Sequence, residues 1–194
     1  MLFFAANPLD QSRLRLDEEV REITAQIRAS EFRDSVELVS RWAVRPLDLL
    51  QALNEDKPHV VHFSGHGSNG SELVFQDDEG VSKPVTLDAI TATIATATDH
   101  VRVIVFNACY SRDHAEAATE YVEAAIGMNT AIGDEAARVF AAKFYSAVGF
   151  GRSLQAAFNQ GIAALKLEGI AEDATPELFS RDDVEPSQIV LVRS

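Results

Sequence analysis

The chain has 194 residues, of which 46% are hydrophobic and 24% charged, and its formal net charge is −13. This size and balance predict one soluble globular domain over residues 1–194, and the negative charge disfavours nucleic acid and anionic membrane surfaces as partners. The single cysteine, Cys109, excludes an internal disulfide, CxxC redox chemistry and cysteine-rich zinc sites, and no metal or other cofactor is expected.

The first part of the chain predicts strands that alternate with helices. Residues 1–6 form a short apolar run without a basic flank, which favours a first strand over a secretory signal segment and therefore a cytoplasmic protein. Residues 14–32 have the period of an amphipathic helix. Its apolar stripe comprises Leu16, Val20, Ile23 and Ile27. The charged residues expected to face mostly away from the core are Asp17, Glu18, Glu19, Arg21, Glu22 and Arg28. Residues 36–42 predict a second strand, and Pro46 fits the first turn of a short helix.

The middle of the chain contains two apolar runs, at 59–63 and 101–106. Both are short and rich in β-branched and aromatic residues, as are strands that are buried on both faces of a parallel sheet. Between them, residues 72–85 alternate around a turn and predict a surface hairpin, after which Thr86 or Asp88 caps a helix.

The C-terminal part continues the alternation. Residues 113–120 predict a short helix and residues 121–128 a strand. Asp134 and Ser153 are expected to cap two further helices, and residues 188–192 to supply a last strand. Because parallel strands need crossover connections, the whole pattern predicts an α/β fold with a mostly parallel sheet and helices on both faces.

Two short strings follow the two apolar runs. They are Ser-Gly-His-Gly at 64–67 and Asn-Ala-Cys-Tyr-Ser at 107–111. Open α/β sheets hold their sites in loops at the carboxyl ends of the strands, so we expect His66 and Cys109 to meet there. An imidazole beside a thiol is the chemistry of a cysteine peptidase.

Each residue of this pair also has a simpler structural interpretation. A cysteine at the end of an apolar strand is often a small buried hydrophobe, and a lone histidine is often a core residue. We expect His62 to be a core residue near the site rather than a metal ligand. Asp113 and His114 either line the cleft or belong to a solvated helix start.

The string at 65–70 also matches the dinucleotide-binding pattern G-x-G-x-x-G. That pattern holds a pyrophosphate at the amino end of the helix that it opens. Here hairpin alternation follows instead of a helix, so nucleotide binding is disfavoured.

Further segments match a known family. They are Ala-Ile-Gly-Met at 125–128 and Gly-Asp-Glu-Ala-Ala at 133–137, and with the two strings above they make the chain resemble the CHAT branch of the caspase-like peptidases from Phe3 to about Leu178. The caspase pentapeptide Gln-Ala-Cys-x-Gly is matched only in part. The resemblance implies a caspase-like three-layer sandwich with a mostly parallel six-stranded sheet, helices on both faces, a small hairpin after the third strand, and a Cys-His dyad.

The resemblance also implies a role for each site residue. Cys109 attacks a peptide carbonyl as a thiolate, and His66 promotes its ionisation or protonates the leaving amine. The backbone N–H groups of Gly67 and Cys109 would stabilise the oxyanion. Asp10, unless it is simply a turn or cap residue, would favour a basic side chain before the scissile bond, whereas a pocket floored by Met128 would accept an apolar one. The rest of this pocket would come from Asn129 and Thr130.

The function expected from these residues is a cysteine endopeptidase that cleaves a specific protein or peptide substrate. Relatives of this type are often effectors in bacterial defence or regulated proteolysis. Activation would come from a sensor or repeat protein in trans, from self-association, from processing or from release out of a longer polypeptide. The alternative is an inactive caspase-like scaffold that binds protein partners. Glutamine amidotransferases and tyrosine phosphatases are disfavoured, because the first need Gly-x-Cys-x-Gly and the second an arginine where this chain has Ala115.

Overall fold

The computed structural model describes residues 1–193. Within them lie nine strands, numbered β1 to β9 in chain order, with the bounds Leu2–Ala5, Val39–Trp42, Val60–Ser64, His66–Ser68, Glu72–Gln76, Ser82–Thr86, Val103–Asn107, Ala124–Met128 and Pro176–Ser180. The same residues form six α-helices, numbered α1 to α6, with the bounds Leu16–Arg28, Asp48–Asp56, Leu87–Ala95, Arg112–Ala118, Asp134–Gly149 and Leu154–Leu167.

The centre of the fold is a six-stranded sheet with the order β2-β1-β3-β7-β8-β9. Its first five strands are parallel and β9 is antiparallel to β8. A second sheet contains β4, β5 and β6, all antiparallel, and it includes the hairpin that the sequence predicts after the third main strand. The predicted α/β fold with a mostly parallel six-stranded sheet is therefore confirmed.

The large sheet is covered on both faces because its inner strands are apolar on both sides. Alternate residues of a strand point to opposite faces. Thus Val60 of β3 joins the core under α1, α5 and α6, whereas its neighbours Val61 and Phe63 join the core under α2, α3 and α4. Every residue of β1, β3, β7 and β8 is buried.

Two of the predicted helix caps are confirmed. The Thr86 hydroxyl accepts a hydrogen bond from the Ala89 N–H at the start of α3, and the Ser153 hydroxyl accepts one from Ala156 N–H at the start of α6. The predicted cap at Asp134 is wrong. Asp134 is the first residue of α5, and its carboxylate accepts hydrogen bonds from the backbone N–H and the guanidinium of Arg15 instead.

The predicted last strand at 188–192 is also wrong. The edge position beside β8 belongs to β9, which pairs with it over five residues. Residues 188–192 make one isolated bridge, between Val190 and Ser153, and the Ile189 carbonyl accepts the Leu154 N–H. This apolar run therefore packs against the start of α6 instead of extending the sheet. No helix within residues 1–193 has the length and apolar character needed to cross a membrane.

Candidate active site

The two site strings lie side by side at the carboxyl ends of β3 and β7, because these two strands are neighbours in the large sheet. Ser64, the last residue of β3, is the register partner of Asn107, the last residue of β7. His66 begins β4 two residues after Ser64, and Cys109 follows Asn107 at the same distance along the chain. Parallel pairing thus brings together the two strand ends that carry the imidazole and the thiol.

Gly67 lies directly against the backbone of Cys109. A Cβ atom at Gly67 would overlap the Cys109 carbonyl oxygen and would lie 3.1 Å from its carbonyl carbon. Only a residue without a side chain permits this approach. The loop that carries His66 is therefore held next to the cysteine.

The imidazole of His66 is oriented by a backbone carbonyl. Its Nε2 lies 2.8 Å from the Ser12 carbonyl oxygen, which belongs to the loop between β1 and α1. A carbonyl oxygen can only accept a hydrogen bond, so Nε2 carries the proton and donates it. The free nitrogen of a neutral His66 ring is then Nδ1, which is available as a base.

Cys109 stands at a sharp turn between β7 and α4. The next residue, Tyr110, has a φ of 56°, a left-handed conformation that costs a non-glycine residue on the order of 1 kcal/mol or more. The Tyr110 N–H donates to the Thr130 carbonyl at 3.1 Å, which holds the turn. Ser111 also stabilises the turn, because its buried hydroxyl donates to the Phe106 carbonyl of β7 and accepts from the Met128 N–H of β8.

Cys109 is half-buried, and its sulfur contacts the loop before α5. The Ile132 N–H donates to Sγ at 3.4 Å, and the Ile132 carbonyl oxygen lies 3.7 Å from the same atom. An N–H that points at sulfur is a donor of the kind that stabilises a thiolate. As a residue, Cys109 is therefore neither fully buried nor fully exposed.

A buried polar network lies beneath both strand ends, on the face covered by α1. Its centre is Glu19 of α1, which is 2% exposed. The Ser64 hydroxyl donates to Oε2 of Glu19 at 2.5 Å, and Nδ2 of Asn107 donates to Oε1 at 2.7 Å. The ring of His62, which is fully buried, lies between Glu19 and Tyr145, with both contacts at 3.0 Å. Burial, together with the nearby carboxylate of Glu19, raises the pKa of Tyr145.

This network corrects one prediction and confirms another. Glu19 was expected to face away from the core with the other charged residues of the helix, but it is buried. The expected core position of His62 is confirmed. The sequence contained a signal for Glu19, because residue 19 is three positions after Leu16 and four before Ile23, and so lies on the buried stripe itself.

Asp113 and His114 have different positions at the start of α4. His114 is 1% exposed and packs on the Phe106 ring, with ring centroids 5.7 Å apart, so it neither lines a cleft nor lies in solvent. Within residues 1–193 neither of its ring nitrogens has a hydrogen-bond partner, and burial lowers its pKa to about 4. Asp113 is exposed and accepts a hydrogen bond from the Ser71 hydroxyl at 2.9 Å.

The three candidate substrate-binding residues are not alike in exposure. Asp10 is exposed, and the hydroxyl and N–H of Ser82, which donate to its carboxylate, lower the pKa of Asp10. Met128 is fully buried, and Asn129 is exposed with its amide donating to the Ala174 carbonyl. The substrate role of these three positions stays a prediction.

Comparison with known proteins identifies the family. The family model of the CHAT domain matches residues 2–165. The chain belongs to the CHAT-domain family. This agrees with the resemblance carried by the two strings at 64–67 and 107–111.

Two curated proteins are similar to most of this chain. A protein named probable protease from Gillisia limnaea is 25% identical over 170 residues, which are 86% of this chain and 30% of that protein. A Roc-COR-CHAT protease from an unknown prokaryotic organism is 24% identical over 197 residues, covering 94% of this chain and 18% of the relative. The chain thus spans a third or less of the length of these relatives.

The chain shares its fold with a solved cysteine proteinase. The crystal structure of the Arg-specific cysteine proteinase gingipain R superimposes on 97% of this chain and 47% of its own, with a TM-score of 0.64 and 13% sequence identity. At this identity the similarity establishes the architecture, and the chemistry has to be argued from the residues of this chain.

Proposed function

We propose that the protein is a cysteine endopeptidase in which Cys109 and His66 form the catalytic dyad. The observation that carries this proposal is the packing of Gly67 on the Cys109 backbone, which joins the two site strings into one centre. The protease names of the two curated relatives support the same activity.

The proposed reaction has two steps. His66 Nδ1 takes the proton of the Cys109 thiol, the sulfur attacks the peptide carbonyl, and the protonated ring then gives that proton to the leaving amine. Water, deprotonated by His66, hydrolyses the thioester and releases the acid and the free thiol. The N–H groups of Gly67 and Cys109 are the proposed donors to the oxyanion that forms in each step.

The substrate is proposed to be a specific protein. Two preferences for the residue before the scissile bond remain in competition, a basic residue through Asp10 and an apolar residue near Met128. The exposure of the Asp10 carboxylate supports the first of these, since an opposite charge can approach it.

The setting proposed for this activity is a regulated effector of bacterial defence or signalling in the cytoplasm. The relative that combines a CHAT protease with Roc and COR modules supports control by other domains or proteins. Activation by a sensor or repeat protein in trans is therefore part of the proposal.

Peptide cleavage tests the dyad. Wild type, Cys109→Ala and His66→Ala are compared on a peptide library that places basic and apolar residues before the scissile bond, with His59→Gln as the matched control because His59 is an exposed histidine outside the site. Both dyad variants should lose about 10³-fold or more in turnover, and His59→Gln should cleave like wild type. Equal cleavage by all four proteins would contradict the dyad. Absence of cleavage by all four, together with a Cys109 that resists alkylation until the chain unfolds, would favour the inactive scaffold.

A further inference from the structure

The buried network contains a single carboxylate that contacts both strands of the site. Glu19 accepts the Ser64 hydroxyl on one oxygen and the Asn107 amide on the other. Ser64 ends the strand that leads to His66, and Asn107 ends the strand that leads to Cys109. One side chain of α1 therefore joins the two strand ends from which the dyad projects.

We propose that Glu19 is a positioning residue that fixes His66 and Cys109 relative to each other. This inference rests on the proposed function, because it assigns Glu19 a part in the same centre. Glu19 does not touch the reacting atoms. It acts through Ser64 and Asn107, each of which lies two residues before a member of the dyad.

The donors around Glu19 define one arrangement of the strand ends. A carboxylate only accepts, so the Ser64 hydroxyl and the Asn107 amide must both point toward it. The second proton of the Asn107 amide goes to the Ala137 carbonyl of α5 at 3.3 Å. A flipped amide would place its oxygen against the carboxylate and would lose both bonds. The orientation of Asn107 is thus determined by Glu19 together with α5.

The remaining side of Glu19 is closed by His62. Its Nε2 lies 3.0 Å from Oε1 of Glu19 and donates a proton to it, while Nδ1 faces the Tyr145 hydroxyl. Phe3 stacks on the imidazole at 4.7 Å between ring centroids. The carboxylate of Glu19, which is 2% exposed, therefore has donors from both β3 and β7.

The helix that carries Glu19 is itself anchored. Arg138 of α5 forms an ion pair with Glu22 at 2.6 Å, and Arg15, just before α1, pairs with Asp134 at 3.1 Å. A buried ionic group is an expensive way to stabilise a core, since well-packed apolar residues often serve as well or better. The use of a buried carboxylate at this position fits a role in fixing geometry.

A double-mutant cycle on Cys109 alkylation tests the coupling. Iodoacetamide labels a single cysteine in wild type, Glu19→Gln, His66→Ala and the double variant, under conditions in which each chain is folded. If Glu19 acts by aligning the pair, Glu19→Gln should slow alkylation about tenfold when His66 is present and have little further effect in His66→Ala. The matched control is Ile23→Val, because Ile23 is a fully buried residue one turn further along the same helix.

A merely structural role of Glu19 has a different result. Glu19→Gln would then change alkylation equally in both backgrounds, or not at all, and Ile23→Val at a matched loss of melting temperature would do the same. Either outcome overturns the inference. Should His66→Ala itself leave alkylation unchanged in the wild-type background, the proposed function fails, and the inference is then judged on amide hydrogen exchange alone.

Hydrogen exchange reports the joining of the strand ends without any reference to activity. Ser64→Ala removes one donor to Glu19 and is the second variant, in case Glu19→Gln does not fold. If Glu19 joins the two ends, this change on β3 should speed exchange about tenfold both at 65–68 and across the sheet at 108–111. Faster exchange confined to 65–68 would contradict the joint positioning of the dyad.

Discussion

The two faces of the large sheet differ in the polarity of the side chains buried on them. Toward α1 and α5, the strand ends present Ser64 and Asn107 to Glu19, and the buried His62 is hydrogen-bonded through both ring nitrogens. Toward α2 and α3, the same strands present only hydrocarbon, and the buried His114 of α4 packs on this side without a partner for either nitrogen. On the first face, hydrogen bonds between polar side chains fix the orientation of the strand ends. On the second face, the buried side chains contribute to stability through apolar packing. Substitutions on the two faces should therefore separate stability from reactivity.

The largest loss of stability is expected on the apolar face. Phe4 is fully buried there, and Phe4→Ala should lower the free energy of unfolding by about 3–5 kcal/mol through lost burial and the cavity that remains. Urea unfolding measures this loss. In the folded fraction the rate of Cys109 alkylation should stay that of wild type, and a parallel fall in alkylation would contradict the separation of the two faces.

The unpartnered histidine predicts a loss of stability in acid. Burial lowers the pKa of His114 to about 4 in the folded chain, from an ordinary value of 6.5. Between these two values the unfolded chain binds a proton at this residue and the folded chain does not, so a falling pH favours unfolding. The contribution is complete above pH 6.5 and decreases as the pH falls toward 4, by up to about 3 kcal/mol. His114→Leu should flatten the profile of unfolding free energy over this window. The exposed His59 is the control. If His59→Gln changes the pH profile of the unfolding free energy as strongly as His114→Leu does, the loss of stability in acid does not come from His114.

At the site itself, the packing of Gly67 on Cys109 predicts loss of activity from one methyl group. Gly67→Ala must push the His66 loop away from the Cys109 carbonyl, and kcat/KM should fall about 10²-fold, since a misplacement of about 1 Å is enough for such a loss. Gly70→Ala is the matched control in the same loop, because the nearest atom to its added methyl group is 3.5 Å away. Similar kinetics for the two variants would show that the contact between the site strings is not needed for catalysis.

The smallest effect is expected far from the site, at the start of α3. Thr86→Ala removes the hydroxyl that caps this helix and should cost about 1 kcal/mol in unfolding free energy. Thr86→Ser keeps the hydroxyl and should retain most of the stability. Thermal or urea unfolding distinguishes the two variants. If Thr86→Ser loses as much unfolding free energy as Thr86→Ala, the loss does not come from the capping hydroxyl.

Much of the fold could be predicted because its strands and helices are periodic over several residues. The runs at 59–63 and 101–106 are apolar on both faces, which only a covered inner strand allows, and the hairpin and two caps follow from local chemistry. The last strand could not be predicted, since 176–180 has a weak apolar pattern and its place depends on β8. The more apolar run at 188–192 pairs with and packs against the start of α6 instead of joining the sheet.

The two candidate dyad residues could be predicted from the sequence, but the contacts around them could not. His66 and Cys109 follow from their strings at the strand ends. The partners of Glu19 come from two strands distant in sequence, β3 and β7. Its charge suggested a solvated residue although its place in the helical period is buried. His114 shows the converse, since its position beside Asp113 suggested solvent but α4 turns its ring onto Phe106.

The central claim is that the fold makes one reactive centre from His66 and Cys109. The most direct test is the rate of iodoacetamide alkylation of Cys109 at neutral pH, compared in folded wild type, folded His66→Ala and the urea-unfolded chain. The account predicts that the folded wild type reacts faster than the unfolded chain and that His66→Ala abolishes this advantage. A folded wild type that reacts more slowly than the unfolded chain, or as fast as His66→Ala, would contradict it.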